Sequence, residues 1–115
     1  MINGAKVSQV QLAIAQMLNG EVNLKVGTYW VDIAIDAGDI PIAIEYDAYY
    51  WHRTFKDMTS HEKERDDYLI SNGWRVVRIR SNESMPTIEQ FDCAIAEILD
   101  GQKFVEIILE DWGVK

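Results

Sequence analysis

The chain has little cysteine, little proline and no long apolar run. Its one cysteine, Cys93, excludes an internal disulfide framework and a zinc site built from several cysteines. The apolar helical pattern around Cys93 predicts a buried, unreactive thiol. Only two prolines occur: Pro41 stands at the beginning of a predicted strand, and Pro86 stands before a predicted helix. Most of the chain is therefore free to form regular secondary structure.

No apolar run approaches the roughly 20 residues that a membrane-spanning helix needs. The first four residues, 1–4, also lack the basic and then apolar build of a signal peptide. We therefore expect an intracellular, cytoplasmic protein that is soluble and has no membrane partner.

Positive charge is scarce as well. Eleven Lys and Arg against 19 Asp and Glu give a formal net charge of −8, which argues against tight, free-standing binding to nucleic acid, because phosphate neutralisation dominates such affinity. Seven of the eleven cations nevertheless fall within residues 53–80, where five acids leave a local charge of +2. Two interpretations stay open: a locally cationic surface beside acidic segments, or ordinary solvated charges.

A length of 115 residues predicts one domain, 1–115. Periodicity and capping signals predict a helix from Ser8 to Asn19-Gly20, strands at 21–26, 29–36 and 40–47, a helix from Thr59 to Asn72, a strand at 74–80, a helix from Thr87 to Asp100-Gly101, and a strand at 104–109. The apolar stripe of the first helix is Val10, Ala13, Ile14, Met17 and Leu18. The last strand is almost continuously apolar, which predicts burial on both faces. The fold class is therefore a single mixed α/β domain.

Carboxylates stand at spaced points in two of these strands. Alternation gives the strand 29–36 an apolar face of Val31, Ile33 and Ile35. It places Asp32 on the opposite face, and in the strand 40–47 it places Glu45 and Asp47 together. If the two strands pair across the turn 37–39, the acidic faces coincide, and Asp32 and Glu45 are placed to bind one divalent cation.

These residue types suit phosphodiester hydrolysis. The reaction needs an activated water and neutralisation of developing negative charge, and Mg²⁺ held by one or two carboxylates provides both. His52 follows the second strand, and a histidine with an ordinary pKa of about 6.5 can exchange protons at neutral pH. Asp47 either orients that imidazole or adds a metal ligand, and the sequence leaves both roles open.

Together these segments resemble the very-short-patch-repair-like (Vsr-like) branch of the PD-(D/E)XK nucleases, which includes the catalytic cores of phage homing endonucleases. The resemblance covers residues 31–83, nearly half of the chain. It rests on Val-Asp-Ile-Ala-Ile (31–35), Ile-Glu-Tyr-Asp (44–47), Trp51-His52, Arg65-Asp66 with Leu69, and Gly-Trp-Arg-Val-Val-Arg-Ile (73–79).

The resemblance implies a restriction-endonuclease-like core, with one mixed sheet and flanking helices. Asp32 matches the strand aspartate that binds the catalytic metal, Glu45 matches the acid of the second motif, and His52 matches the histidine of this branch. Trp51 matches the aromatic beside that histidine, and Asp47 falls where the wider superfamily has a lysine. Two departures are the missing zinc site and the missing acid in the first helix, where this chain offers only Gln9, Gln11 or Gln16.

We therefore expect a Mg²⁺-dependent endonuclease that acts on double-stranded DNA. The candidate DNA-contacting residues are Trp51, Arg53, Lys56 and Arg65; for Arg65 a structural ion pair is an equal alternative. Specific recognition is expected to need a fused DNA-binding segment, a partner subunit or a homodimer. The alternatives are a nicking repair or junction-resolving nuclease, and a non-catalytic nuclease-like module that binds DNA or protein.

Overall fold

A computed structural model of the protein describes residues 8–48, 60–82 and 84–111. Within them the chain forms three helices and five strands. In chain order these are α1 (Gln9–Leu18), β1 (Glu21–Val26), β2 (Tyr29–Ala37), β3 (Ile40–Ala48), α2 (Ser60–Ser71), β4 (Arg75–Ser81), α3 (Ile88–Leu99) and β5 (Phe104–Ile108). The α/β class predicted from the sequence is confirmed. No helix within these ranges is both long and apolar enough to cross a membrane.

The five strands form one mixed sheet in the order β1-β2-β3-β4-β5. The first three strands are antiparallel neighbours, whereas β3–β4 and β4–β5 are parallel pairs whose connections contain α2 and α3. The predicted hairpin across residues 37–39 is present: Ala37 pairs with Ile40, and Gly38 has a φ of 69°. The turn suits glycine because that φ is unfavourable for residues with a Cβ.

Helices cover both faces of the sheet. On the side that we call the α1/α3 face, Ile14 of α1 and Phe91 of α3 pack with strand residues such as Ile44 in the larger apolar cluster. On the opposite side, the α2 face, Leu69 of α2 packs in a smaller cluster with Val31, Ala43 and Val76. The main core therefore lies between the sheet and the helices α1 and α3.

Capping side chains fix the helix ends as the sequence predicts. Ser8 Oγ accepts a hydrogen bond from Gln11 N at 3.0 Å, and Asn19 ends α1 in the left-handed conformation. Thr87 and Gln90 form a complete capping box at α3. The predicted capping residue Thr59 lies outside the described residues, and α2 begins at Ser60.

Three burial predictions are wrong. In α1 the predicted stripe is wrong at Met17, which is 41% exposed, whereas Ile14 is buried and Val10 and Leu18 pack against the core. Cys93 is exposed on α3, so it is not part of the core. β5 is half-buried rather than buried on both faces, since it is the edge strand of the sheet and carries Glu106 on its exposed side.

The prediction that Val31, Ile33 and Ile35 share one face of β2 is also wrong, at Val31. Ile33 and Ile35 pack on the α1/α3 face, whereas Val31 packs with Leu69 in the α2 cluster. Val22 pairs with Ile33 and Leu24 with Val31, so Asn23 lies opposite Asp32. Asn23 has a φ of 52°, and the simple alternation of faces is interrupted at this point.

Candidate metal and active site

Asp32 lies where β2 and β3 stop pairing. Their ladder extends from Ala37–Ile40 to Ile33–Ile44. Beyond it, the backbone N–H of Tyr46 donates to Asp32 Oδ2 at 3.0 Å. The Asp32 carboxylate thus accepts a hydrogen bond from a backbone amide that lies beyond the β2–β3 pairing. This bond holds the side chain of Asp32 against β3.

The backbone of Asp32 is held from the other side by α1. The side-chain amide of Gln11 donates to the carbonyl oxygen of Asp32 at 2.8 Å and to Asn23 Oδ1 at 3.3 Å. These bonds explain why Gln11 is buried and faces the sheet, because a buried amide is costly without partners. Asp32 therefore has a position fixed by two different elements.

Glu45 is the most unusual carboxylate of the described residues. It lies on the α2 face of β3 with a side chain that is 1% exposed, and neither of its oxygens accepts a hydrogen bond. Its nearest cation is Arg65, whose Nη2 lies 3.2 Å from Glu45 Oε1 without hydrogen-bond geometry. A fully buried carboxylate is normally saturated with donors, so Glu45 is poorly compensated.

Burial and charge shift the proton affinity of both carboxylates in the same direction. Burial raises the pKa of Glu45 well above its usual range, and the nearby Asp32 carboxylate raises it further, while Arg65 and Arg78 oppose the shift. Burial also raises the pKa of Asp32, although the hydrogen bond from Tyr46 opposes the change. Two interacting carboxylates in a low-dielectric place resist ionisation, and a cation between them relieves that cost.

A buried ionic network lies beside this pair. Arg78 on β4 is completely buried; its Nη1 donates to Asp47 Oδ2 at 2.9 Å, and its Nη2 donates to both oxygens of Asp66 at 2.9 and 2.7 Å. Burial disfavours the charge of Arg78, but Asp47 and Asp66 outweigh burial and raise its pKa above the ordinary value. The pair with Asp66, in which one guanidinium nitrogen donates to both carboxylate oxygens, joins α2 to the sheet.

The network extends to the sheet edge through Arg80. Its Nε donates to Glu106 Oε2 on β5 at 2.6 Å, and its Nη1 lies 3.5 Å from Asp47 Oδ2. Parallel pairing sets this arrangement, because Glu45 is in register with Arg78 and Asp47 with Arg80. Acids on β3 therefore lie beside bases on β4.

The donor set fits a hard cation such as Mg²⁺. Asp32 and Glu45 offer carboxylate oxygens, two of which lack hydrogen-bond donors, and Mg²⁺ is usually held by one or two carboxylates together with water. Across residues 8–48, 60–82 and 84–111, no group of three or more His, Cys, Asp or Glu side chains is arranged to hold a metal ion. A cation here would therefore rest on two protein ligands from the described residues.

The structure brings together four of the residues that the sequence singled out. Asp32 and Glu45 interact electrostatically, Arg65 contacts Glu45, and Asp47 pairs with Arg78. Of the two alternatives for Arg65, the ion pair is the contact observed. The other candidates lie outside the described residues: Trp51, His52, Arg53 and Lys56.

Three residues that shape the site, Gln11, Asp66 and Arg78, stand in segments that the sequence analysis named, but none of them was given a role in the site. A signal existed for Arg78, because an arginine between Val77 and Ile79 in an apolar strand requires a buried counter-ion. Asp66 is part of the resemblance, but it lies in a helix rich in charged residues, and composition does not show which acid of that helix is buried. Only the packing of α2 on the sheet shows that Asp66 faces inward.

No protein-family model, curated protein or solved structure matches the chain. The case for its function therefore depends on its residues and their arrangement.

Proposed function

We propose that this chain is a Mg²⁺-dependent endonuclease that hydrolyses phosphodiester bonds of double-stranded DNA, with Asp32 and Glu45 as the metal ligands. The observation that carries the proposal is Glu45: it is fully buried, neither oxygen has a hydrogen-bond donor, and a second carboxylate lies close enough to raise its pKa. A purely structural role would leave such a group saturated by donors or absent.

The chemistry divides among the residues of the site. Mg²⁺, when bound, would polarise the phosphate and make water a better nucleophile. Asp32 is oriented by Tyr46 and Gln11, and Glu45 provides an oxygen from the adjacent strand. His52, which follows β3 in the sequence, is proposed to move the proton of water or of the leaving oxygen. Asp47 is held by Arg78 and Arg80, so it balances their charges beside the metal ligands.

We also propose that the chain is a Vsr-like PD-(D/E)XK nuclease core of the kind found in phage homing endonucleases. What supports this is the antiparallel β2–β3 pair with an acid on each strand, followed by a helix and a parallel strand.

Trp51, Arg53 and Lys56 are the proposed DNA contacts. With a net charge of −8, the domain alone is expected to bind DNA with a dissociation constant on the order of 10⁻⁴–10⁻⁶ M or weaker, so a DNA-binding segment, partner subunit or second copy would supply specificity.

The test is cleavage of supercoiled and linear DNA by the parent, Asp32→Ala and the control Asp36→Ala, with Mg²⁺ and with a chelator. Asp36 lies on the same strand but is exposed. Asp36→Ala therefore removes the same kind of side chain without changing the proposed metal site. We expect Mg²⁺-dependent cutting by the parent and Asp36→Ala only. Equal cutting by Asp32→Ala would contradict the metal assignment, and the ratio of nicked to linear product identifies single-strand or double-strand cutting.

His52→Ala tests the proton-transfer role. A general acid or base contributes roughly 10²–10⁴-fold to the chemical step, so the single-turnover rate should fall by that factor while DNA affinity stays the same. A rate within about threefold of the parent, far below the general acid–base range, would remove His52 from the mechanism.

One observation favours a second function, a non-catalytic nuclease-like module that binds DNA or a partner protein. Arg65 already contacts the carboxylate of Glu45, as expected where a protein cation has replaced a metal. DNA binding that is unaffected by Mg²⁺, together with no cleavage at any Mg²⁺ concentration, would support this module over the nuclease.

A further inference from the structure

The two arginines nearest Glu45 are held very differently. Arg78 makes three hydrogen bonds to Asp47 and Asp66 and is completely buried. Arg65 makes one ionic contact, to Glu45, and its side chain is 17% exposed. The Nε atoms of both arginines are buried without a hydrogen-bond partner, so the difference lies in their terminal nitrogens. Arg78 is therefore fixed in place, whereas no hydrogen bond in the described part of the chain holds the guanidinium of Arg65.

Arg65 occupies the same carboxylate that a cation would use. Its Nη2 lies 3.2 Å from Glu45 Oε1, and this oxygen has no other partner among the described residues. A guanidinium keeps its charge at any pH at which the protein is folded. Arg65 therefore cannot release an ionised Glu45 by losing a proton, and a cation that binds this carboxylate must compete with the guanidinium.

A path for movement of the guanidinium exists. Arg65 lies on α2, four residues before the buried Leu69, and its side chain already reaches solvent in part. Long arginine side chains can keep their stem against apolar surface while the charged end turns to water. The helix itself stays anchored, because Asp66 is bound to Arg78 and Leu69 packs on the sheet.

We propose that Arg65 is an internal counter-ion of Glu45 that competes with the divalent cation and thereby sets its affinity. This inference rests on the proposed function, since it takes Asp32 and Glu45 as the metal ligands. Cation binding displaces the guanidinium from Glu45 toward solvent, where it is free to contact a phosphate. Arg65 is thus an affinity-determining residue rather than a metal ligand.

The experiment measures binding of Mn²⁺, as a paramagnetic substitute for Mg²⁺, by electron paramagnetic resonance of the free ion, without DNA. The proteins are the parent, Arg65→Gln, Arg65→Lys and Lys63→Gln. Lys63 lies on the same helix and pairs with Asp67, with 69% and 64% of the two side chains exposed. Lys63→Gln therefore removes the same charge from α2 without touching Glu45.

We expect Arg65→Gln to bind Mn²⁺ about tenfold more tightly than the parent, or about 1.4 kcal/mol. Arg65→Lys keeps a cation at the site and should bind less tightly than Arg65→Gln. Lys63→Gln should match the parent because an exposed charge is screened. Binding by the parent with equal or weaker binding by Arg65→Gln overturns the inference and leaves the metal site standing. No binding by any of the proteins overturns both.

A second measurement needs no variant and guards against an Arg65→Gln protein that fails to fold. In the parent, the side-chain Nε–H signal of Arg65 is followed by nuclear magnetic resonance as Mg²⁺ is added. Displacement from Glu45 should shift this signal, whereas the signal of Arg78 should move much less. An Arg65 signal that stays unchanged while Mg²⁺ saturates the site overturns the inference.

Discussion

Both faces of the sheet bury side chains completely, but among the described residues only the α2 face buries charged side chains as well. On the α1/α3 face, Ile33, Ile44 and Phe91 are completely buried among other apolar groups. On the α2 face, Glu45 and Arg78 are completely buried too, on strands that contribute apolar residues to the first face. Alternation along β3 and β4 therefore places one set of side chains in the main core and the other set on the α2 face. On that face Ala43 and Val76 belong to the smaller apolar cluster, and Glu45 and Arg78 are buried charges.

The difference shows that apolar burial stabilises the fold, whereas incompletely paired buried charge on the α2 face lowers its stability. Apolar burial contributes about 25 cal/mol per Å² and needs no particular partner. Buried charges must recover their lost hydration from one another, which Arg78 does through three hydrogen bonds and Glu45 does not. Incomplete compensation at one carboxylate is the reason why we place the proposed function on the α2 face.

The largest stability effect should come from breaking the ionic network. Arg78→Met leaves Asp47 and Asp66 buried without their shared cation, and such a loss costs about 3–5 kcal/mol. Urea unfolding of the parent and the variant measures it. Adding Asp66→Asn to Arg78→Met should recover part of the lost stability, because it removes one buried carboxylate that has no counter-ion in the single variant. A loss below about 1 kcal/mol, well under the range for a broken buried pair, would show that the network is not compensating buried charge.

Glu45→Gln should raise stability at neutral pH in the absence of divalent cations, on the order of 1–2 kcal/mol, because it removes a carboxylate whose ionised form burial disfavours. The gain should depend on pH. The pKa of Glu45 is raised above its ordinary value of 4.5, so the folded state holds the proton more tightly than the unfolded state. The contribution of Glu45 is therefore greatest below about pH 4.5 and is lost as pH rises through the raised folded-state pKa.

The measurement is the free energy of unfolding across pH 4–8 in a chelator. The parent should lose stability as pH rises, and Glu45→Gln should show a shallower slope; Asp32, whose pKa is also raised, supplies part of the remaining slope. Parallel curves for the two proteins would be incompatible with a buried, poorly compensated Glu45.

The smallest effect is expected on the other face of the same strand. Ile44→Val removes one methylene group from the core and should cost about 0.5–1.5 kcal/mol. Because no charge is involved, this loss should be the same at every pH and with or without Mg²⁺. A cost that varies with pH or Mg²⁺ would show that the two faces are coupled.

Local signals predicted much of this fold. Alternation gave the β2–β3 hairpin, and capping residues such as Ser8, Asn19 and Thr87 marked helix ends, because these features depend on near neighbours in the chain. The same alternation predicted that Asp32 and Glu45 lie close together. Tertiary contacts determined the rest: Gln11 is buried because its side chain donates to the carbonyl oxygen of Asp32, a bond that no local pattern predicts.

The ionic network needed tertiary information. Asp47 was singled out from the sequence, but its partner Arg78 is 31 residues away and becomes a neighbour only through the parallel pairing of β3 and β4. The prediction that Cys93 is buried was wrong for a related reason. An apolar periodicity shows that α3 has a buried side, but it does not show where on the helix surface that side ends. Phe91, Ala94 and Ile98 lie inside that boundary, and Cys93 lies outside it.

The most direct test is whether Mg²⁺ stabilises the folded protein through Glu45. Thermal unfolding of the parent, Glu45→Gln and the exposed-acid control Asp36→Asn should be followed as Mg²⁺ is increased. A ligand that binds only the folded state adds RT ln(1 + [L]/Kd) to stability. The parent and Asp36→Asn should therefore show a Tm that rises steadily with Mg²⁺, and Glu45→Gln should show little or no rise. An unchanged Tm in the parent, or an equal rise in Glu45→Gln, would contradict a metal site at these carboxylates.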